Sequence, residues 1–198
     1  MTDARQGGSS TLMKASDCVL YSGGLQGAEA AFGAAAEHRG IAEVNFTFEG
    51  RQSARTRGLR TLTLEELTCG DVSLQYVSKL LHRHYPNTNY IKRVLQTIWH
   101  QVNDAQEIYV VGVILKDDTV KGGTGWGAEF AKLCNKPLFV FDQEKAGWFQ
   151  WDGDASTWAP RTGADEPVIR HAHLTGTGTR VLQASGRQAI AALFARSF

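Results

Sequence analysis

Residues 18 to 24 (CVLYSGG) run directly into LQGAEAAFGAAAEHRG, and residues 107 to 112 (EIYVVG) lead through a short loop into KGGTGWGAEFAKLCNK. In both places an apolar stretch ends at glycines and a helix-forming stretch follows. Glycine lets backbone N–H groups come close to a ligand, and the next helix presents its positive N-terminal end, so such a segment suits an anion such as phosphate. In the first segment Ser22 offers a hydroxyl, Gly23 and Gly24 offer unobstructed amides, Gln26 offers a side-chain amide, and Gly27 keeps the helix close to the strand. Glu29, on the first helical turn, either accepts hydrogen bonds from a ribose hydroxyl or caps the helix. In the second segment Gly122, Gly123, Gly125 and Gly127 lie within six residues, Thr124 can donate to a phosphate oxygen, and Glu129 stands one turn inside the helix. This is neither a Walker A motif nor the dinucleotide fingerprint in its usual place. Near the end of the chain, Gly178, Thr179 and Arg180 sit in a third glycine-rich stretch, TGTGTR, where the arginine suits an anion.

Two turns of this kind at strand ends point to a shared ligand of nucleotide type, with Trp126 stacking on its base. Each residue also has a plainer reading. Glycines at strand ends make ordinary turns, a tryptophan on a helix fills cores, and a glutamate early in a helix compensates the dipole. If the chain is an enzyme, Glu129, with Glu29, would stabilise a cationic ribosyl transition state or activate water. Arg51, Arg55, Arg57 and Arg60 cluster in one loop, which reads as nucleic-acid contact or as a solvated surface. His82 and His84 do not share a helix face, and His171 and His173 lack a third ligand at metal spacing, so no metal site is expected.

Positioning these residues requires alternating strands and helices. Asp17–Tyr21 reads as a buried strand, Gln26–Glu37 as a helix stopped by Gly40, and 42–48 as a second strand. Residues 49–70 read as loop, with a short turn of helix around Leu64–Leu67. A helix over 71–84 is broken at Tyr85-Pro86-Asn87. The next helix, Thr88–Val102, carries Ile91, Leu95, Ile98 and Val102 at helical spacing. Ile108–Leu115 is a continuous apolar run, as expected of a strand covered on both faces. A helix over Trp126–Asn135 and the strand LFVFD follow. GWFQWD and TWAP suggest a small antiparallel excursion near 147–160, either a lid, an interface or packing over a sheet edge. Residues 161–167 read as a linker, 168–174 as a strand, TGTGTR as a turn, and Arg187–Arg196 as a helix. The architecture expected is α/β: a Rossmann-like, doubly wound, mostly parallel sheet with helices on both faces and its ligand at the carboxyl ends of the strands.

A chain of 198 residues with 42% hydrophobic content fits one domain, expected over 16–198 behind a flexible leader of 1–15. Lys and Arg number 21 against 20 for Asp and Glu, so no overall field favours nucleic acid or an anionic membrane. Three dispersed cysteines without CxxC spacing fit reduced thiols. Without a spanning segment or a signal-peptide h-region, the expected location is cytoplasmic.

YSGGLQGAEAAF and GGTGWGAEFA resemble the paired motifs of the SLOG superfamily of Rossmann-like proteins, which includes the DprA, YpsA and LOG groups. The first is similar to that group's SGGxxGxD-type segment and the second to its PGGxGTxxE-type segment. Together they span about 17 to 142. HLTGTGTRVL followed by GRQAIAALF is similar to the GxGSR segment that opens DprA-like chains, but here it comes last, so the order resembles the circularly permuted YpsA-like branch. The resemblance implies binding of a nucleotide or nucleotide-derived phosphorylated metabolite, with no further cofactor, and a homo-oligomer, most simply a dimer. Two alternatives come with it: a LOG-like nucleoside-monophosphate N-glycosidase (phosphoribohydrolase) using Glu129, and DprA-like single-stranded DNA binding. The chain departs from the LOG pattern, with Lys121 in place of the proline, Trp126 in place of the threonine, and Trp99-His100 near the place of the catalytic arginine. Arg93 lies one to two turns too early.

Overall fold

The structure is a computed structural model that describes residues 13–198. In chain order its elements are β1 (Val19–Ser22), α1 (Ala28–His38), β2 (Ala42–Thr47), β3 (Leu59–Thr61), α2 (Leu64–Thr68), α3 (Asp71–Leu80), α4 (Asn89–Asp104), β4 (Glu107–Gly112), α5 (Thr124–Leu133), β5 (Leu138–Asp142), β6 (Gly147–Asp152), β7 (Thr157–Arg161), β8 (His173–Gly178) and α6 (Ala184–Ser197). The strands form one eight-stranded sheet in the order β3-β2-β1-β8-β4-β5-β6-β7. Every pairing from β3 through β5 is parallel, and β6 and β7 are added antiparallel. This is the expected α/β, Rossmann-like arrangement.

The apolar run of β4 shows why both faces are covered. Its side chains alternate: Ile108 and Val110 enter one core with Ile98 and Val102 of α4 and Phe130 of α5. Tyr109 and Val111 enter the other with Phe32 of α1 and Ile190 and Phe194 of α6. Burying one such side chain contributes about 1.5–3 kcal/mol. The spacing expected for α4 holds from Leu95 through Ile98 to Val102, all buried, whereas Ile91 is exposed. Lys136 closes the carboxyl end of α4, its ammonium donating to the carbonyls of Val102, Asn103 and Ala105 at 2.6–2.8 Å.

Several expectations need correction. The last strand is His173–Gly178 rather than 168–174, so TGTG is its carboxyl half and not a turn. Gly176 lies under the ring of Phe32, where a side chain would collide. β3, inside the expected loop, has three exposed residues and exists through its backbone pairing with β2. The Trp-rich hairpin β6–β7 does not pack over the sheet edge but extends it, β6 pairing antiparallel with β5. Lys132 of α5 stands 3.8 Å from the Trp151 ring centroid and 5.1 Å from that of Trp158, whose indole donates to the Asp118 carbonyl at 2.9 Å. Of the expected flexible leader, residues 1–12 lie outside the described residues, while Met13 and Ala15 pack against the core beside α1 and α6.

The loop between β2 and β3 is pinned by charge. Arg55 pairs with Glu37 at 2.8 Å and with the buried Glu43 at 2.5 Å, and Arg57 pairs with Glu43 at 3.4 Å. The amides of Ala54 and Arg55 both donate to the Gly24 carbonyl, at 2.8 and 3.0 Å.

Candidate functional site

From β1 the chain crosses outward to β2 and β3, and from β4 it crosses the other way to β5, so the direction of winding reverses at the centre of the sheet. Ligands of open α/β sheets bind outside the carboxyl ends of the strands at such a point. Here β1 ends at Ser22-Gly23, β4 at Gly112 and β8 at Gly178. A cavity of about 420 Å³ opens over the ends of β4 and β8, within the size range of small-molecule sites.

Its walls come from four places. Lys121 to Thr124 form the lip before α5, and Gly178 to Arg180 form the turn after β8. Leu25 and Glu29 come from the start of α1, and Val94 and Ile98 of α4 supply an apolar wall. At the lip, a side chain on Gly122 or Gly123 would meet no atom within 4 Å, so both face open space, and Gly122 has a φ of +74°. Among the described residues, the amides of Gly122, Gly123 and Thr124 have no hydrogen-bond partner. They crown a helix of 10 residues, the arrangement that holds anions. Arg83 supports the lip from behind, donating to the carbonyls of Gly122 at 2.8 Å and Val120 at 3.3 Å.

The turn after β8 is fixed against α1. The Thr179 amide donates to Val111 O at 2.9 Å, and the Thr179 carbonyl accepts from the Ala28 amide at 2.9 Å. Gly27 permits this approach: its φ is +100°, and a side chain there would run into the backbone of Thr179 and Arg180.

Charge in the cavity is mostly positive, two cations against one carboxylate. Among the described residues, Lys121 and Arg180 form no salt bridge. The only carboxylate on the wall is Glu29, which is 5% exposed. It accepts from the Leu25 amide at 2.9 Å and from the Thr177 hydroxyl at 3.0 Å. Burial pushes its pKa up, against the lowering effect of those hydrogen bonds and of the Arg51 and Arg180 charges.

Of the residues singled out in the sequence, the structure brings Glu29, Gly122, Gly123, Thr124, Gly178, Thr179 and Arg180 together around the cavity. The others lie elsewhere. The Ser22 hydroxyl donates to Gly176 O at 2.8 Å, inside the sheet. Gly23 is packed against Gln101, Glu29 and Arg51, and Gly24 is held by the β2–β3 loop. Gln26 and Gly27 line an adjoining cavity that shares Arg180. Gly125 is pressed onto the Val120 carbonyl.

Two expected roles are corrected by position. Trp126 is 5% exposed and packs in the core against Tyr85, ring centroids 5.8 Å apart, so it presents no face to a base. Glu129 pairs with Lys132 at 3.3 Å, beneath the Trp-rich hairpin and away from the cavity wall. Lys121, Val94 and Ile98 line the cavity but were not among the candidate site residues read from the sequence. Lys121 carried a usable signal, a cation directly before a glycine pair, whereas Val94 and Ile98 read only as members of an amphipathic helix. The four loop arginines are also accounted for: Arg55 and Arg57 pair with Glu43, Arg60 pairs with Glu66 at 2.9 Å, and Arg51 is buried. Among the described residues no group of three His, Cys, Asp or Glu is placed to hold a metal ion.

No protein-family model matches the chain, and no curated protein matches it. Among solved structures, the fold is similar to a crystal structure from Syntrophus aciditrophicus described as a "Putative molybdenum carrier protein", at 18% identity and a TM-score of 0.48, covering 89% of this chain and 92% of that one. A likeness of that size carries no inference about the ligand.

Proposed function

We propose that the cavity binds a phosphorylated small molecule of nucleotide type, its phosphate on the Lys121–Thr124 lip and the Arg180 turn and its apolar part against Val94 and Ile98. The observation that carries this reading is that two cations that form no salt bridge and three unpartnered helix-terminal amides line one cavity. Each charge-assisted hydrogen bond of this kind contributes about 1.5–3 kcal/mol. The opposite wall supplies apolar burial but no stacking tryptophan. The motif resemblance to SLOG proteins and the permuted order belong to the same proposal. They are supported by the central position of β8, since placing β8 and α6 first would give a chain that starts at the middle of the sheet and winds outward in both directions.

The N-glycosidase reading is weaker, because Glu129 lies off the wall and Glu29 is the only carboxylate on it. Incubation with nucleoside monophosphates is expected to release no free base.

Calorimetric titration with nucleoside monophosphates, their nucleosides, inorganic phosphate and molybdate tests the proposal. Saturable binding that needs the phosphate and is strengthened by the base supports it. The proposal is overturned if no phosphorylated compound binds, or if nucleosides bind as tightly as their monophosphates.

A further inference from the structure

Arg180 stands on the boundary of two cavities. One is the glycine-lined pocket; the other, of about 490 Å³, is lined by Gln26 and Gly27 before α1, by Val181 and Leu182 after β8, and by Arg187 on the first turn of α6. Three alanines of α1 complete this second cavity, and their short side chains leave it open. Both arginines are exposed, and neither forms a salt bridge among the described residues. No Asp or Glu lines the cavity, so its charge is wholly positive.

The segment that carries Arg180 is held on both sides. Behind it, Gln143, 7% exposed, accepts from the Gln183 amide at 2.8 Å and donates to the Val181 carbonyl at 3.2 Å. Ahead of it, Thr179 is bonded through its amide to Val111 O and through its carbonyl to the Ala28 amide. Arg180 is therefore positioned between the two cavities before a ligand arrives.

A single phosphate on the Lys121–Thr124 lip and Arg180 leaves Arg187 unused, because Arg187 lies outside the first pocket. A guanidinium carries five N–H donors in a fixed fork, enough to serve two anionic groups at once. A second phosphate, joined to the first by an anhydride oxygen, would share Arg180 and turn toward Arg187. The run of free arginines ends there. The next cavity along α1 and α6 shares Arg187, but its other arginine, Arg39, donates to Phe198 O at 3.0 Å. One added arginine suits one added phosphate, not a long polyanion.

We propose that the second cavity takes the terminal phosphate of a nucleoside diphosphate, held by Arg180 and Arg187. This rests on the phosphate assignment made for the first pocket and adds the ligand class, a diphosphate in preference to a monophosphate.

The test is calorimetric titration of the full chain with adenosine and guanosine mono- and diphosphates in magnesium-free buffer. The quantity read is the ratio of diphosphate to monophosphate affinity within each protein, which cancels any general damage to the fold or to the first pocket. Wild type is expected to favour the diphosphate of at least one base about tenfold or more. Arg187→Gln should bring that ratio close to one, and Arg187→Lys should restore part of it. Lys79→Gln, which removes one charge from α3, should keep the wild-type ratio. The proposal is overturned if wild type binds both forms equally, if Arg187→Gln keeps the preference, or if Lys79→Gln loses it to the same extent. Monophosphate binding without a diphosphate preference removes this inference and leaves the first pocket's assignment standing; failure of every nucleotide to bind removes both.

Discussion

Lys121 and Arg180 line the pocket and form no salt bridge among the described residues, so removing either should be felt by the ligand and not by the fold. Lys121→Ala and Arg180→Ala are each expected to weaken nucleoside-monophosphate binding about tenfold or more, measured by calorimetry, with melting temperature unchanged. Glu29 gives a second expectation, in pH. Burial lifts its carboxyl above the ordinary range. A group whose pKa is raised on folding adds stability while it is protonated; that contribution is complete below the unfolded carboxyl's pKa and is lost as pH rises through the native one. Glu29→Gln does not ionise, so its melting temperature relative to wild type should climb from acid toward neutral pH, followed by thermal melts between about pH 4 and 8. Anion binding beside Glu29 favours its protonated form, so wild-type affinity should fall with rising pH faster than that of Glu29→Gln. A flat difference in both measurements would remove Glu29 from the pocket's electrostatics. At this scale the sequence was legible where chemistry and backbone coincide, as at Gly122, Thr124 and Arg180. It misled at Trp126 and Glu129, because a helix rotates each residue by about 100° from the last and only packing decides which stripe meets the cavity. Ser22 was misread for a different reason: its hydroxyl satisfies a neighbouring strand's carbonyl.

Among the elements, those with continuous apolar runs or strong helical spacing, β4, β5 and α4, were legible because burial on both faces or on one stripe leaves its period in the residues. β3 left no such trace, since all three of its residues are exposed and only backbone bonds hold it. β8 was hidden by its composition. Thr-Gly-Thr-Gly reads as a turn until the Phe32 ring is seen to need the space at Gly176. Besides its pairing with β5, the β6–β7 hairpin meets α5 through the ammonium of Lys132, which lies over the rings of Trp151 and Trp158. A desolvated cation–π contact contributes up to about 2 kcal/mol. Lys132→Ala is therefore expected to destabilise the protein by about 1–2 kcal/mol in chemical denaturation and to shift tryptophan fluorescence toward the exposed range. Nucleotide affinity should remain as in wild type, because neither Lys132 nor Glu129 reaches the pocket.

The molecule as a whole carries nearly balanced charge, 21 basic against 20 acidic side chains, and its arginine-rich loop is neutralised from within by Glu43, Glu37 and Glu66. Nucleic-acid affinity grows with the number of phosphates that free cations can neutralise, and falls steeply with salt for the same reason. Fluorescence anisotropy with a labelled single-stranded oligonucleotide is expected to show no salt-dependent binding; a steep salt slope would mean that a basic face forms by rearrangement of that loop. No helix among the described residues is long and apolar enough to cross a membrane.

The strand at the middle of the sheet is also its last in chain order. While the polypeptide is being synthesised, β1 and β4 wait with bare hydrogen-bonding edges, and such edges invite association with other chains. The arrival of β8 joins the two half-sheets and, in the same step, delivers Gly178 and Arg180 to the pocket. A chain stalled before residue 173 would therefore expose both edges and lack the Gly178–Arg180 wall of the cavity.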